Sequence, residues 1–158
     1  MSATEDGREK TVIDLLPEQE RRKNLFPCGR LDKNTLGLII LTNDGEGAHK
    51  LLSPKNHVSK TYKFESKFPL SEEDKKKIEG GIDIGGYVTK PCQIDLEGKI
   101  TITEGKYHQI KRMLEAVSNK ITYLERISFG GLKLDESLGR GEWRYLTDEE
   151  EKMLLQSK

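Results

Sequence analysis

The sequence predicts an α+β fold: a mixed, largely antiparallel sheet with flanking helices. Three observations carry this expectation. Residues 57–66 alternate, with Val58, Lys60, Tyr62 and Phe64 on one face, as in a half-buried strand. Ile110, Met113, Leu114 and Val117 recur at helical spacing and mark a buried stripe. Strand-like and helix-like segments are mixed along the chain without strict alternation, which disfavours a doubly wound parallel sheet.

The elements follow in order. Residues 1–10 are charged and rich in small side chains, a lead-in with little to pack. Residues 11–16 suit one helical turn that Pro17 stops. Residues 36–41 are short and apolar apart from Gly37, which predicts one buried strand. Asn43 or Asp44 caps a helix reaching Leu52, and Pro54 ends it. After the strand at 57–66, Ser71 precedes three acids and then three lysines, a capped helix with matched ends before Gly80 and Gly81. Residues 82–88 with Gly85-Gly86 read as a hairpin. Residues 93–96 and 99–103 read as two strands about a turn at Glu97-Gly98. The stripe beginning at Ile110 is the clearest helix, and 121–129 returns to strand. Residues 130–140 are looser, 142–146 suit a short terminal strand, and Thr147-Asp148-Glu149-Glu150 is a capping box that opens a last helix.

The 158 residues fit one domain, and 34% hydrophobic against 34% charged leaves a lean core under a wet surface. No apolar run is long enough for a bilayer-spanning helix, and no secretory signal stands at the start. Cys28 and Cys92 lie far apart with no metal-ligand spacing, as expected of thiols in a reducing, cytoplasmic compartment. Net charge is zero, with 27 basic and 27 acidic residues, so a nucleic-acid partner requires segregation of charge. Basic residues do gather at 21–23, 30–33, 55–67 and 106–112, whereas acids concentrate at 72–74 and 148–151. One basic face on a neutral chain and charges scattered over the surface fit these counts equally.

Three segments carry candidate chemistry. Asp32 lies in Gly29-Arg30-Leu31-Asp32-Lys33-Asn34-Thr35-Leu36-Gly37, ahead of an apolar run. A carboxylate acting as nucleophile must be ionised and held still, and a cation does both; Arg30 or Lys111 suits. Alone, it reads as a surface aspartate in a turn. An aspartyl-phosphate site is disfavoured, because its apolar strand precedes the nucleophile and here it follows. Tyr62, on a basic strand with Lys60 and Lys63, is suited to stack on a base and reach a proton, although spacing alone favours a core tyrosine. Lys106, Tyr107 and His108 precede the helix that carries Lys111 and Arg112, where amides and side chains can hold a phosphate. A solvated helix face is the plainer reading of that run. No zinc cluster, phosphate-binding glycine loop or dinucleotide fingerprint is present, so no metal and no cofactor is implied.

Taken together, Gly-Arg-Leu-Asp-x-x-Thr-x-Gly-Leu from Gly29, Leu-Thr-Asn-Asp-Gly from Leu41, Lys-Thr-Tyr from Lys60, Glu-Gly-x-x-x-Gln-Ile-Lys-Arg-Met from Glu104 and Gly-Glu-Trp-Arg-x-Leu-Thr from Gly141 resemble the RsuA-like branch of the ribosomal RNA pseudouridine synthases. The resemblance runs in order from about Thr11 to the last helix. It implies an isomerase that detaches a uracil from its glycosidic nitrogen and rejoins it through carbon, without cofactor. It implies Asp32 as nucleophile, Tyr62 as the ring that stacks on uracil and assists proton transfer, Lys111 as the partner of the aspartate, and Arg30 as the residue that takes the place of the extruded base. Thr35, Lys60, Lys106, His108, Gln109 and Arg112 complete the implied RNA-binding set. The implied partner is ribosomal RNA, with 16S RNA in an assembling small subunit preferred because lysine precedes arginine in the Gln-Ile-Lys-Arg run.

Two departures stand beside the resemblance. Neither the small S4-type RNA-binding domain nor the first catalytic strand of that branch is found, so residues 1–158 read as an N-terminally truncated catalytic domain. An unpaired sheet edge would then favour a dimer. A non-catalytic RNA-binding or ribosome-associated fragment of the same fold is the alternative. A protein-interaction domain without an RNA role leaves the order of the motifs unexplained.

Overall fold

The fold is drawn from a computed structural model that describes residues 16–28, 31, 35–52, 58–106, 108–139 and 141–153. The expected lead-in at 1–10, most of the expected turn at 11–16, Arg30, Asp32, Pro54, His57 and Tyr107 lie outside the described residues.

The centre of the sheet is a long antiparallel pair, β4 (Lys60–Ser66) on β7 (Ile121–Phe129). Alternation along β4 buries Lys60, Tyr62 and Phe64 on one face. β6 (Lys99–Ile102) pairs antiparallel with β4, and β5 (Gln93–Ile94) closes that side against β6. On the other side β2 (Leu36–Gly37) runs parallel to β7, while β8 (Leu132–Lys133) folds back antiparallel onto it. The mixed, largely antiparallel sheet expected from sequence is therefore present, with order β2-β7-β4-β6-β5 among the described residues.

Two helices cover one face. α3 (Glu72–Glu79) begins with the expected Ser71 cap, which the structure extends to a full capping box: the Ser71 hydroxyl accepts from the Asp74 amide at 3.1 Å, and the Asp74 carboxylate accepts from the Ser71 amide at 3.4 Å. α4 (Gln109–Glu115) buries Ile110, Met113 and Leu114; Val117 lies past the helix end but packs on the same core. Together with Phe64, Ile78, Ile100 and Leu124 they form the main core. Each fully buried side chain of this kind contributes about 1.5–3 kcal/mol. A smaller core of Cys28, Ile40, Ala48, Leu51, Val58, Phe129 and Leu132 sits under α2 (Gly45–Leu52), where Asp44 caps the helix as expected by accepting from the Gly47 amide at 3.0 Å.

Some expectations are refined and others corrected. A helix the sequence reading did not mark, α1 (Glu18–Arg21), is the first among the described residues; it starts after Pro17, which stands at its N-cap with φ −58°, a value that suits a helix entry. The run at 36–41 is two strands. Gly37, at φ +109°, turns the chain out of β2; Leu38 then donates to the Arg126 carbonyl at 2.9 Å, and β3 (Leu41–Thr42) joins β1 (Phe26–Pro27) in a separate two-stranded sheet. The apolar run is thus shared between two sheets. The hairpin expected at 82–88 is present in short form: Ile84 donates to the Tyr87 carbonyl at 2.8 Å, Thr89 donates to the Ile82 carbonyl at 3.0 Å, Asp83 and Val88 form an antiparallel bridge, and the Asp83 carboxylate takes the Gly85 and Gly86 amides of the turn at 2.8 and 2.9 Å. Those amides hold its pKa below the usual carboxylate range.

The stretch 142–146 is not a strand. Side chains anchor it: Arg144 binds Asp135 at 2.8 Å and Glu150 at 2.7 Å, Trp143 and Tyr145 meet edge to face, and Tyr145 donates to Glu20. The final helix, α5 (Asp148–Met153), opens with the expected capping box, Thr147 and Glu150 exchanging bonds of 2.9 and 3.2 Å.

Candidate active site

A cleft of about 80 Å³ opens where one end of the sheet meets α4. The sheet contributes Tyr62 from β4, Ile102 from β6 and Leu124 from β7. Leu31 and Thr35, which flank the Asp32 position in sequence, form one wall. Gly105, Lys106 and His108, with Gln109, Ile110 and Lys111 of α4, form the other.

Local geometry explains the aim of each group. β4 and β7 shift register between Thr61 and Tyr62, so Thr61 faces Ser128 and Tyr62 faces Arg126. Such a bulge re-aims the side chains beside it, and Tyr62 ends 8% exposed with its ring on the cleft. Thr35 is equally buried, and its hydroxyl oxygen has no hydrogen-bond partner among the described residues. α4 starts without a side-chain cap, after His108 in the left-handed region at φ 49°.

In place of a cap, a buried network holds this turn. Glu104, 6% exposed, accepts from the Tyr87 hydroxyl, from the Lys90 amide at 2.7 Å and from the Gln109 side-chain amide at 3.1 Å. Gln109 in turn accepts from the Lys106 backbone amide at 3.1 Å. The hydrogen bond to Glu104 raises the Tyr87 pKa above its ordinary value. The Lys106 ammonium lies 4.7 Å from the centre of the Tyr87 ring.

Of the residues expected from sequence, Tyr62, Thr35, Lys106, His108, Gln109 and Lys111 come together at this cleft. Gln109 lines it while both ends of its amide are engaged inside the protein. Lys60 and Arg112 are not among the residues that line it. Lys60 is buried with its ammonium 5.5 Å from the centre of the Phe129 ring, and burial, then the neighbouring Arg126, pushes its pKa down. Arg112 donates to the Ile84 carbonyl and ties α4 to the 82–88 turn. Asp32 and Arg30 lie outside the described residues.

Three residues of the region were missed by sequence reasoning. Glu104 extends the alternation of Ile100 and Ile102, which places its carboxylate on the buried face; that spacing was a legible signal. Arg126 follows Leu124 in the same way. It is 1% exposed, donates from Nε to the Leu38 carbonyl at 2.8 Å, and stacks 5.1 Å from the centre of the Phe129 ring. Tyr87 carried no signal, since its role depends on a partner distant in sequence. No group of three His, Cys, Asp or Glu that could hold a metal ion occurs among the described residues, and no helix there is long and apolar enough to cross a membrane.

An α+β sheet with a tyrosine and cations converging on one cleft defines a class that sequence comparison makes specific: the chain belongs to the RNA pseudouridylate synthase family, whose model matches residues 1–116. Within it the chain is an RsuA-like member. It is 51% identical over 159 residues to the uncharacterized RNA pseudouridine synthase YtzG of Bacillus subtilis (strain 168), covering 95% of this chain and 66% of that protein. It is 41% identical over 152 residues to the ribosomal small subunit pseudouridine synthase A of Vibrio cholerae serotype O1, covering 92% and 65%. A crystal structure of a pseudouridylate synthase superimposes with a TM-score of 0.85 at 39% identity, over 91% of this chain and 65% of that one. The chain therefore spans just under two thirds of the length of these relatives. A chain of the archaeal box H/ACA sRNP Nop10-Cbf5 complex matches with a TM-score of 0.56 at 19% identity and shows the fold alone.

Proposed function

We propose that this chain carries the catalytic site of an enzyme that isomerises a specific uridine of ribosomal RNA, in 16S RNA of the assembling small subunit, to pseudouridine. The observation that carries the reading is the cleft, which Tyr62 and Lys111 line together with Thr35 and His108. Leu31 and Thr35 line the same cleft, which supports Asp32 as a group that serves it. The relatives named for small-subunit RNA favour the 16S target.

In this mechanism the target nucleotide leaves its stack and enters the cleft. The Asp32 carboxylate, kept ionised by Lys111, acts as nucleophile. Its bond to the nucleotide, at the uracil ring or at C1′, forms in the first half of the reaction and breaks again as the carboxylate leaves, so Asp32 is regenerated. The bond between C1′ and N1 breaks, the uracil turns, and a bond from C1′ to C5 forms. N1 gains a proton and C5 loses one, so the reaction is balanced without oxidant, reductant or cofactor. Tyr62 stacks on the ring and assists that proton transfer. Arg30 occupies the place vacated by the base, and the cations at the cleft mouth bind the backbone in a salt-sensitive manner.

The test is pseudouridine mapping on 16S and 23S ribosomal RNA after incubation with the wild-type chain and with Asp32→Ala. The expected outcome is a new pseudouridine in 16S RNA with wild type and none with a folded Asp32→Ala. Activity in Asp32→Ala, or folded wild type that binds RNA in a salt-sensitive way and modifies nothing, overturns the proposal; the latter result identifies a non-catalytic RNA-binding domain.

A further inference from the structure

We infer that Glu104 is a positioning residue for this cleft: through Gln109 it fixes the Lys106 backbone and the first turn of α4, and so the placement of Lys106, His108 and Lys111. The inference rests on the reading of the cleft as the site of isomerisation. An interior carboxylate is costly unless donors occupy its oxygens. Glu104 meets three, from two separate places: the Tyr87 hydroxyl and the Lys90 amide on the neighbouring loop, and the Gln109 side chain on the helix.

The segment it holds needs holding. α4 lacks a side-chain cap, and His108 is a non-glycine residue at φ 49° and ψ 35°. A conformation of that kind costs on the order of 1–3 kcal/mol and persists where its surroundings over-determine it. Gln109 supplies the constraint by accepting from the Lys106 amide at 3.1 Å while donating to Glu104. The chain of bonds therefore runs from Tyr87 through Glu104 and Gln109 to the backbone of the cleft wall. An apolar side chain at 104 would extend the core begun by Ile100 and Ile102, but it would leave the Tyr87, Lys90 and Gln109 donors without their acceptor. The carboxylate's distinctive contribution is orientation of the wall.

The experiment compares Glu104→Met, Glu104→Gln and Tyr87→Phe with the wild-type chain by two readouts. One is steady-state kinetics on 16S RNA; the other is backbone hydrogen exchange of the folded proteins. Glu104→Met is expected to lower kcat by about 100-fold, as an ångström-scale displacement in a site can, with KM within about threefold. Glu104→Gln retains an acceptor for Lys90 and Gln109, so it recovers most of kcat. The Lys90 and Lys106 amides exchange faster in Glu104→Met, while β4 and β7 stay protected.

Wild-type kcat in Glu104→Met, or faster exchange spread evenly over the sheet, overturns the inference. If Glu104→Met does not fold, Tyr87→Phe decides: it removes one of the three donors, so faster Lys106 exchange with a lower kcat supports the inference and unchanged values overturn it. A wild-type chain without activity removes the proposed function alone, because the exchange comparison still reads whether Glu104 orders the wall.

Discussion

Gly37→Ala is the substitution whose cost the structure specifies most directly. A Cβ at Gly37 would lie 2.2 Å from the Arg126 carbonyl oxygen, 2.6 Å from its nitrogen and 2.9 Å from its carbonyl carbon. All three atoms belong to the backbone of β7, in the middle of the sheet, and none can swing aside. The parallel pairing of Gly37 with Arg126 must open, and the bond from the Leu38 amide to the Arg126 carbonyl goes with it. Backbone at φ +109° costs alanine a further 1–2 kcal/mol or so. With about 1 kcal/mol for the hydrogen bond and about 1–3 kcal/mol for the overpacking, the total is about 3–6 kcal/mol.

Against a domain stability of about 5–15 kcal/mol, that loss is severe, and it corresponds to a fall in Tm of roughly 6–24 °C for a chain of this size. Gly141→Ala is the control: its φ is +81°, yet nothing lies within 4 Å of a Cβ there, so it reports the conformational cost alone. Urea denaturation of both variants measures the difference. A Gly37→Ala loss no larger than that of Gly141→Ala would show that β2 can move off β7 freely, and the account of the glycine would fail. Because Thr35 lines the cleft two residues earlier, the same substitution is expected to reduce activity in whatever fraction remains folded.

Thr35→Val should raise stability by about 1 kcal/mol, because it replaces a buried, unpartnered hydroxyl with a methyl group; thermal melts check this, and a fall in RNA affinity measured alongside would locate the use of the hydroxyl. Lys60→Met should be neutral or stabilising at pH 7, since it removes a buried ammonium beside Arg126. The lowered Lys60 pKa also predicts a pH dependence: between the folded value and the ordinary 10.5, the unfolded chain binds more protons, so stability should rise with pH. Denaturant titrations across that window should show the rise in wild type and its reduction in Lys60→Met.

The sequence made legible the elements whose stabilisation is local or strongly periodic. β4 declared itself through alternation, α3 through its Ser71 cap and charge-matched ends, α5 through its capping box, and α4 through its apolar stripe. Elements shaped by partners elsewhere did not. The run at 36–41 reads as one strand until Arg126 is seen accepting from Leu38 and donating to it. Residues 142–146 have the composition of a strand, but Asp135, Glu150 and Glu20 claim their side chains and no strand offers a ladder. At the site, motif order located Tyr62 and Lys111 on one cleft. It gave no means of separating Lys106, at the mouth, from Lys60, sealed over Phe129.

β7 is hydrogen-bonded to β2, β4 and β8, and it supplies Leu124 to the cleft floor. It is also made late. While the chain is being synthesised, every segment that bears a cleft residue up to Lys111 precedes β7, yet the strand that ties residue 36 to the sheet is still missing. Pairings of such long sequence separation are slow to close. The wall and floor of the cleft should therefore become one surface in a single late event, and chains that end before β7 should hold Tyr62 and Lys111 without a formed cleft.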